Sequence, residues 1–307
     1  MSKAISGFAK AFDELKPEII ILLGDRYEIL AAAETALIEN IPIAHIHGGE
    51  KTEGAYDDAI RHSITKMSHL HFTSTEEYRK RVIQLGEQPE RVFNVGSLGV
   101  ENVKRLHLLT KDEIEAVIGF TLDNRTIMVT YHPVTLNTGS TKHDIDELIA
   151  ALDDRRDLRI IFTMPNSDNG SIEIVDTINS FVENNSHRAV AFKSLGLKRY
   201  LSTVKYCGAV VGNSSSGIVE VPSFGIPTLN IGDRQKGRIA ADSVVNCKTD
   251  RYSILTGLDK IMSEQFADFC KSVANPYEKE NTAERIFSII SKYPLDNIIQ
   301  KHFYDIR

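Results

Sequence analysis

Val210-Val211-Gly212-Asn213-Ser214-Ser215-Ser216-Gly217-Ile218-Val219-Glu220 decides the reading of this chain. An apolar run stops at Gly212, small hydroxyl residues follow, and an apolar-periodic segment begins. That order predicts strand, tight turn and helix start. Serines at a helix N-terminus present hydroxyls beside unpaired backbone N–H groups, where the helix dipole adds partial positive charge. Such a turn suits a phosphate or carboxylate, and it equally suits a plain serine cap. Glu220 lies six residues after Ser214, near enough to stand at the same mouth. The next apolar run, Pro227-Thr228-Leu229-Asn230-Ile231-Gly232, ends in Asp233-Arg234-Gln235-Lys236-Gly237-Arg238. That cation cluster supplies the countercharge a diphosphate needs.

Outward from this stretch the chain alternates strand and helix. Upstream, strands are predicted over 19–23, 41–47, 71–74 and 91–96, with helices over 8–15, 26–39, 57–67 and 75–85. The run Ile19-Ile20-Ile21-Leu22-Leu23 reads as a buried parallel strand. The pattern changes between 103 and 124, where Thr110-Lys111-Asp112-Glu113 forms a capping box before Gly119. A second series places strands over 126–131, 159–164, 189–192, 209–211 and 228–231, and helices over 143–152, 171–183 and 197–205. A last helix begins at Thr282. The alternation predicts an α/β fold of two Rossmann-like domains, 1–122 and 123–307, with the last helix crossing back to the first.

In open α/β sheets ligands bind beyond the carboxyl ends of the strands. The distinctive residues recur there: Gly24-Asp25-Arg26, His47-Gly48-Gly49-Glu50, Tyr131-His132-Pro133, Pro165-Asn166-Ser167-Asp168 and the serine-rich turn. The expected site is a cleft with carboxylates on its first wall and phosphate-binding groups on its second. Asp57 and Asp58 stand where the helix dipole favours acids, which accounts for Asp58 and leaves Asp57 available. Asp57 and Arg61 have the spacing that shares a helix face. His45 and His47 alternate on one strand face, but a catalytic metal normally takes three protein ligands and no third is evident.

The chain has 307 residues, 42% apolar and 25% charged, which permits a packed core. Its formal net charge of −6 gives no nucleic-acid footprint. No apolar run reaches the length of a membrane span, and the N-terminus lacks a signal-peptide pattern. The cysteines Cys207, Cys247 and Cys270 are odd in number and far apart, as suits reduced thiols in the cytoplasm.

Taken together, Gly24-Asp25-Arg26, His45-Ile46-His47-Gly48-Gly49-Glu50, the segment Asp57-Asp58-Ala59-Ile60-Arg61-His62, His132-Pro133, the Gly212–Gly217 turn and Gly232-Asp233-Arg234-Gln235-Lys236-Gly237-Arg238 resemble the hydrolysing UDP-N-acetylglucosamine 2-epimerases, in particular the sialic and polysialic acid capsule branch. The resemblance implies a glycosyltransferase-B-like architecture with the first strands of the first domain missing, and exposed apolar edges in consequence. It implies conversion of UDP-N-acetylglucosamine and water to N-acetylmannosamine and UDP through 2-acetamidoglucal, in the cytoplasm, by a homodimer without cofactor or metal. The acids fall on Asp25 and Asp57. A third acid position of the family is occupied by His47, so His47 or Glu50 fills that role. Arg26, Arg61, His132, Ser214, Ser215 and Arg234 would line the sugar and diphosphate, and Glu220 the ribose. Two other readings remain: a hydrolysing enzyme of a UDP-2,4-diacetamido-2,4,6-trideoxy sugar for legionaminic-type acids, and a UDP-binding protein without turnover.

Overall fold

Parallel strands need crossover connections, and the predicted helices supply them. The computed structural model describes residues 1–54, 56–134, 141–165 and 170–306. Asn166, Ser167 and Asp168 of the predicted loop lie outside them. The chain divides into two units, one comprising Met1–Thr52, Tyr56–Glu101 and Tyr277–Arg307, the other Glu53–Ala55 and Asn102–Pro276.

In the first unit the elements run α1 (Ser2–Leu15), β1 (Ile20–Leu23), α2 (Tyr27–Ile38), β2 (Ile43–Ile46), α3 (Asp57–Met67), β3 (Leu70–Thr73), α4 (Glu76–Gln84) and β4 (Val92–Asn94), and the division after Glu101 falls within α5 (Leu98–Arg105). Among the described residues the strands form one parallel sheet in the order β1-β2-β3-β4. One face packs Leu22 and Ile43 on Ala32, Ala33 and Ile64 of α2 and α3. The other packs Ala44, Ile46, Leu70 and Phe72 on Ile286 and its neighbours. The strand expected to be buried on both sides is an edge: Ile21 is 55% and Leu23 52% exposed, because β1 pairs with β2 alone among the described residues.

The second unit holds α6 (Lys111–Ile118), β5 (Thr126–Thr130), α7 (Thr141–Asp154), β6 (Arg159–Thr163), α8 (Ser171–Asn184), β7 (Ala189–Phe192), α9 (Gly196–Val204), β8 (Ala209–Gly212), α10 (Ser215–Val219), β9 (Thr228–Ile231), β10 (Val244–Cys247), α11 (Arg251–Ile261) and α12 (Glu264–Cys270). Its parallel sheet has the order β10-β9-β8-β5-β6-β7. Helices α7, α8 and α11 bury one face and α6 and α9 the other. The order reverses between β5 and β8, the switch point where such sheets bind ligands.

The division falls near Glu101 rather than at 122. The reason is packing: Ile114 and Ile118 of α6, with Leu122, bury against Met128, Ile161 and Val210 of the second sheet. The chain from Tyr277 onward belongs to the first unit, where α13 (Thr282–Lys292) donates the Thr282 hydroxyl to the Val95 carbonyl at 2.8 Å.

Candidate active site

In the first unit the predicted residues gather on a buried arginine. Arg61, on the second turn of α3, is 1% exposed. A guanidinium there must spend its donors inside the protein. Nη1 donates to the Glu50 carbonyl at 2.9 Å and contacts Asp58 Oδ1 at 3.4 Å. Nη2 donates to the Thr52 hydroxyl at 2.8 Å and to the Asp25 carboxylate. One side chain therefore ties the loops after β1 and β2 to α3. Asp25 follows Gly24, whose φ of +86° turns the chain out of β1.

Asp57 and Arg61 share the spacing of one helix face, and Arg61 contacts Asp58, three residues back. Asp58 also accepts the Thr52 amide at 2.7 Å and stands 3.4 Å from His62 Nε2. Asp57 opens α3 and is half-buried. Arg26 caps α2 at its N-terminus, 45% exposed, pairing with Glu28 at 3.5 Å and lying over the Tyr27 ring. The two histidines of β2 have separate environments. His45 is fully buried, its Nε2 on the Gly24 carbonyl at 2.9 Å and its Nδ1 facing the Thr65 hydroxyl at 3.3 Å. Burial pushes its imidazole down to about 3, so it is a neutral strut beneath the Asp25 loop. His47 contacts Glu50, with Nδ1 3.2 Å from Oε1, and the Ser74 hydroxyl donates to that same oxygen at 2.9 Å. No group of three or more His, Cys, Asp or Glu among the described residues is arranged to hold a metal ion.

In the second unit the organiser is Asn213, fully buried after β8. Its Oδ1 accepts the His132 amide at 2.7 Å and its Nδ2 donates to the His132 carbonyl at 2.8 Å. Its own carbonyl accepts from Arg234 Nη1 at 3.0 Å and Gln235 Nε2 at 2.9 Å. Gly212 has φ +132°, and a Cβ there would stand 1.9 Å from the Thr130 carbonyl oxygen, so only glycine fits. The turn thus brings His132, Ser214, Ser215 and Arg234 around one backbone. Ser214 caps α10, accepting the Ser216 amide at 3.4 Å, and Glu220 closes that helix.

Helix α10 has only five residues, shorter than the serine pattern suggests. Few peptide dipoles align, so charge for an anion comes mainly from the Arg234 side chain. Burial first, and Arg234 second, push His132 down to about 3. His132 is accordingly a neutral N–H donor rather than a second cation. A cavity of about 1190 Å³ opens beside this turn, at the ends of β9 and β10 and along α11, lined by Asp233, Gln235, Lys248 and Lys260 among others. It flanks Arg234 on both sequence sides, but none of the five predicted second-unit residues lines it.

Asp58, Thr52, Ser74 and Asn213 escaped the sequence reading. The helix dipole is a sufficient account of paired acids at a helix start, which hid Asp58. Asn213 sat in the quoted stretch between glycine and serines, where asparagine usually marks a turn.

Parallel Rossmann-like sheets, with acids at the strand ends of one unit and a serine-capped turn in the other, give an α/β fold of glycosyltransferase-B-like architecture. The chain belongs to the UDP-N-acetylglucosamine 2-epimerase family, whose model matches residues 1–291. It is 42% identical over 307 residues to a GDP/UDP-N,N'-diacetylbacillosamine 2-epimerase (hydrolyzing) of Campylobacter jejuni, spanning all of this chain and 79% of that one. It is 44% identical over 308 residues to polysialic acid biosynthesis protein P7 of Escherichia coli, spanning all of this chain and 78% of that one. Among solved structures it is similar to the S. aureus MnaA–UDP co-structure, with TM-score 0.81 and 18% identity, covering 99% of this chain and 81% of that one. No helix among the described residues is long and apolar enough to cross a membrane.

Proposed function

We propose that this protein is a hydrolysing 2-epimerase whose substrate is a UDP-2,4-diacetamido-2,4,6-trideoxyglucose, that is, UDP-N,N'-diacetylbacillosamine. The observation that carries this reading is the 42% identity, across all 307 residues of this chain, to the C. jejuni diacetylbacillosamine 2-epimerase. UDP-N-acetylglucosamine is the second reading, favoured by the similar identity to the polysialic acid protein. Both share one chemistry. A base takes the C2 proton, the C2 electron pair forms a C1=C2 double bond, and the C1–O bond breaks with its pair leaving on UDP. Water then adds to C1 and a proton returns to C2 from the opposite face. One water is consumed for each UDP released.

Two proton transfers on opposite faces require acid–base groups in distinct settings. Asp25, ion-paired to buried Arg61, and Asp57, at the first turn of α3, are assigned to the sugar, together with His47 and Glu50. A carboxylate near C1 also stabilises developing oxocarbenium charge. Arg26 is assigned to the sugar–diphosphate junction, whereas Arg61, expected there too, is buried with its donors spent on Glu50, Asp58, Thr52 and Asp25 and holds that wall in place instead. The leaving diphosphate is assigned to His132, the Ser214 and Ser215 turn and Arg234, and the ribose hydroxyls to Glu220. No cofactor is required by this route. A cytoplasmic homodimer completes the proposal.

The test is a side-by-side measurement of kcat/KM for the two UDP-sugars, following UDP release. A site built to hydrogen-bond a second acetamido group rejects a sugar lacking it, so a preference of at least about ten-fold for the diacetamido substrate is expected. A preference for UDP-N-acetylglucosamine would transfer the assignment to the second reading.

A further inference from the structure

The turn that carries Arg234 is pinned from two sides. Within residues 232–238 the chain folds on itself. The Lys236 amide donates to the Asp233 carbonyl at 3.0 Å and the Arg238 amide to the Gln235 carbonyl at 3.1 Å. Asp233, Lys236 and Gly237 are exposed, so the turn projects from the body of the unit. On one side the side chains of Arg234 and Gln235 both hold the Asn213 carbonyl. On the other side lies Glu53-Gly54, part of the short stretch between β2 and α3 that belongs to the second unit. The Glu53 amide donates to the Lys236 carbonyl at 3.1 Å.

Gly54 is held to glycine by space. A Cβ on it would stand 2.6 Å from the Asp233 carbonyl oxygen and 2.9 Å from the Arg234 Cα. Both neighbours are backbone, so neither swings aside as the tip of a flexible side chain does. A glycine at such a place lets two stretches of main chain touch. Its bare Cα is the stop on which the peptide bearing Arg234 rests. Asn213 fixes the far end of the Arg234 side chain, and Gly54 fixes its root.

We infer that Gly54 is a positioning residue for the leaving diphosphate, acting through the Arg234 backbone and touching no part of the ligand itself. This rests on the assignment of Arg234 to the diphosphate above. A guanidinium binds phosphate by directed N–H donors, so the angle at which it arrives matters as much as its charge. A methyl group at residue 54 pushes the Asp233–Arg234 peptide away or lifts residues 53–54 off the turn. Either shift moves the root of Arg234 while Asn213 still holds its tip, and the donors no longer meet the phosphate.

The test compares the Kd of UDP with that of uridine, by calorimetry on the full chain, for wild type, Gly54→Ala, Arg234→Ala and the double variant. Arg234→Ala is expected to weaken UDP by about 10–100-fold, the size of lost hydrogen bonds to a charged group. Gly54→Ala is expected to weaken UDP by about ten-fold and to leave uridine unchanged, which a general loss of structure would not do. In the Arg234→Ala background, Gly54→Ala is expected to have no further effect on UDP, because both act through one contact. Unchanged UDP affinity in Gly54→Ala, equal weakening of uridine, or additive losses in the double variant overturns the inference. Unchanged UDP affinity in Arg234→Ala overturns it too, by removing the diphosphate assignment beneath it. A second measurement needs no variant. UDP bound to the wild type is expected to slow hydrogen exchange at the Glu53 amide, since a ligand that steadies the turn steadies its bond to Lys236. Exchange there that ignores UDP overturns the inference. None of these readings involves turnover, so a failure of the epimerase reading shows separately, as no UDP released from any UDP-sugar.

Discussion

Arg61 and Asp58 carry the first unit's site at the scale of single residues. Helical spacing put Asp57 and Arg61 on one face, and Asp58, three residues before Arg61, is near enough to reach it as well. What selected Asp58 is the loop after β2: the Thr52 amide needs an acceptor, and Asp58 Oδ1 meets it at 2.7 Å. No periodicity records where a loop amide points, so this choice was illegible from sequence. The strand-end positions of Asp25, Glu50 and His47 were legible, because the strand pattern locates the ends where α/β sheets collect polar residues. Asp58→Ala removes the acceptor for Thr52 and one partner each of Arg61 and His62. The expected loss is about 2 kcal/mol of stability, read in urea unfolding. A loss no larger than that of an exposed surface acid would contradict the role given to Asp58.

At the scale of elements, legibility followed burial. Asp57–Met67, Ala189–Phe192 and Thr228–Ile231 were read at their observed bounds because each has an unbroken pattern or a clear stop. Strand β10 was missed: as a sheet edge it is half exposed, so its sequence lacks the apolar run of a central strand. Helices α5, α11 and α12 were missed as well, in polar-rich stretches where tertiary packing overrides weak local pattern. The capping box of α6 is present as read, with the Thr110 hydroxyl accepting the Glu113 amide at 3.4 Å and Glu113 accepting the Thr110 amide at 2.8 Å. Thr110→Ala should therefore cost about 1 kcal/mol, and Thr110→Ser much less. Equal losses for the two would show that the hydroxyl is not what holds the helix start.

At the scale of the whole molecule, buried neutral histidines make stability depend on pH. Burial pushes His45 and His132 down to about 3 and His69 down to about 4. His69 also accepts the Ile43 amide on Nδ1 at 3.1 Å, a bond its protonation would break. Below the ordinary value of 6.5 the unfolded chain binds protons that the folded chain does not. Stability is therefore complete above that value and falls as pH drops, by about 1.4 kcal/mol per pH unit for each such histidine. Glu87 adds a second decline at lower pH. Burial alone would raise its carboxyl, but hydrogen bonds from His71, Lys301 and Lys66 hold it at about 2. Its contribution is present above about 4.5 and lost as pH falls through 2. Denaturant titrations between about pH 7 and pH 5 are expected to show this loss, and stability independent of pH over that range would refute it. The α/β class and the two-unit organisation were readable throughout, while the boundary was not. Residues 103–122 carry apolar side chains that either sheet would accept, and only packing assigns them.

The account depends on C1–O cleavage with proton exchange at C2. The most direct measurement runs the reaction in H₂¹⁸O and, separately, in D₂O, and locates the labels by mass spectrometry and NMR. The account predicts ¹⁸O at C1 of a free sugar, solvent deuterium at its C2, and unlabelled UDP. Oxygen-18 in the UDP, or an epimerised sugar still attached to UDP, would contradict it.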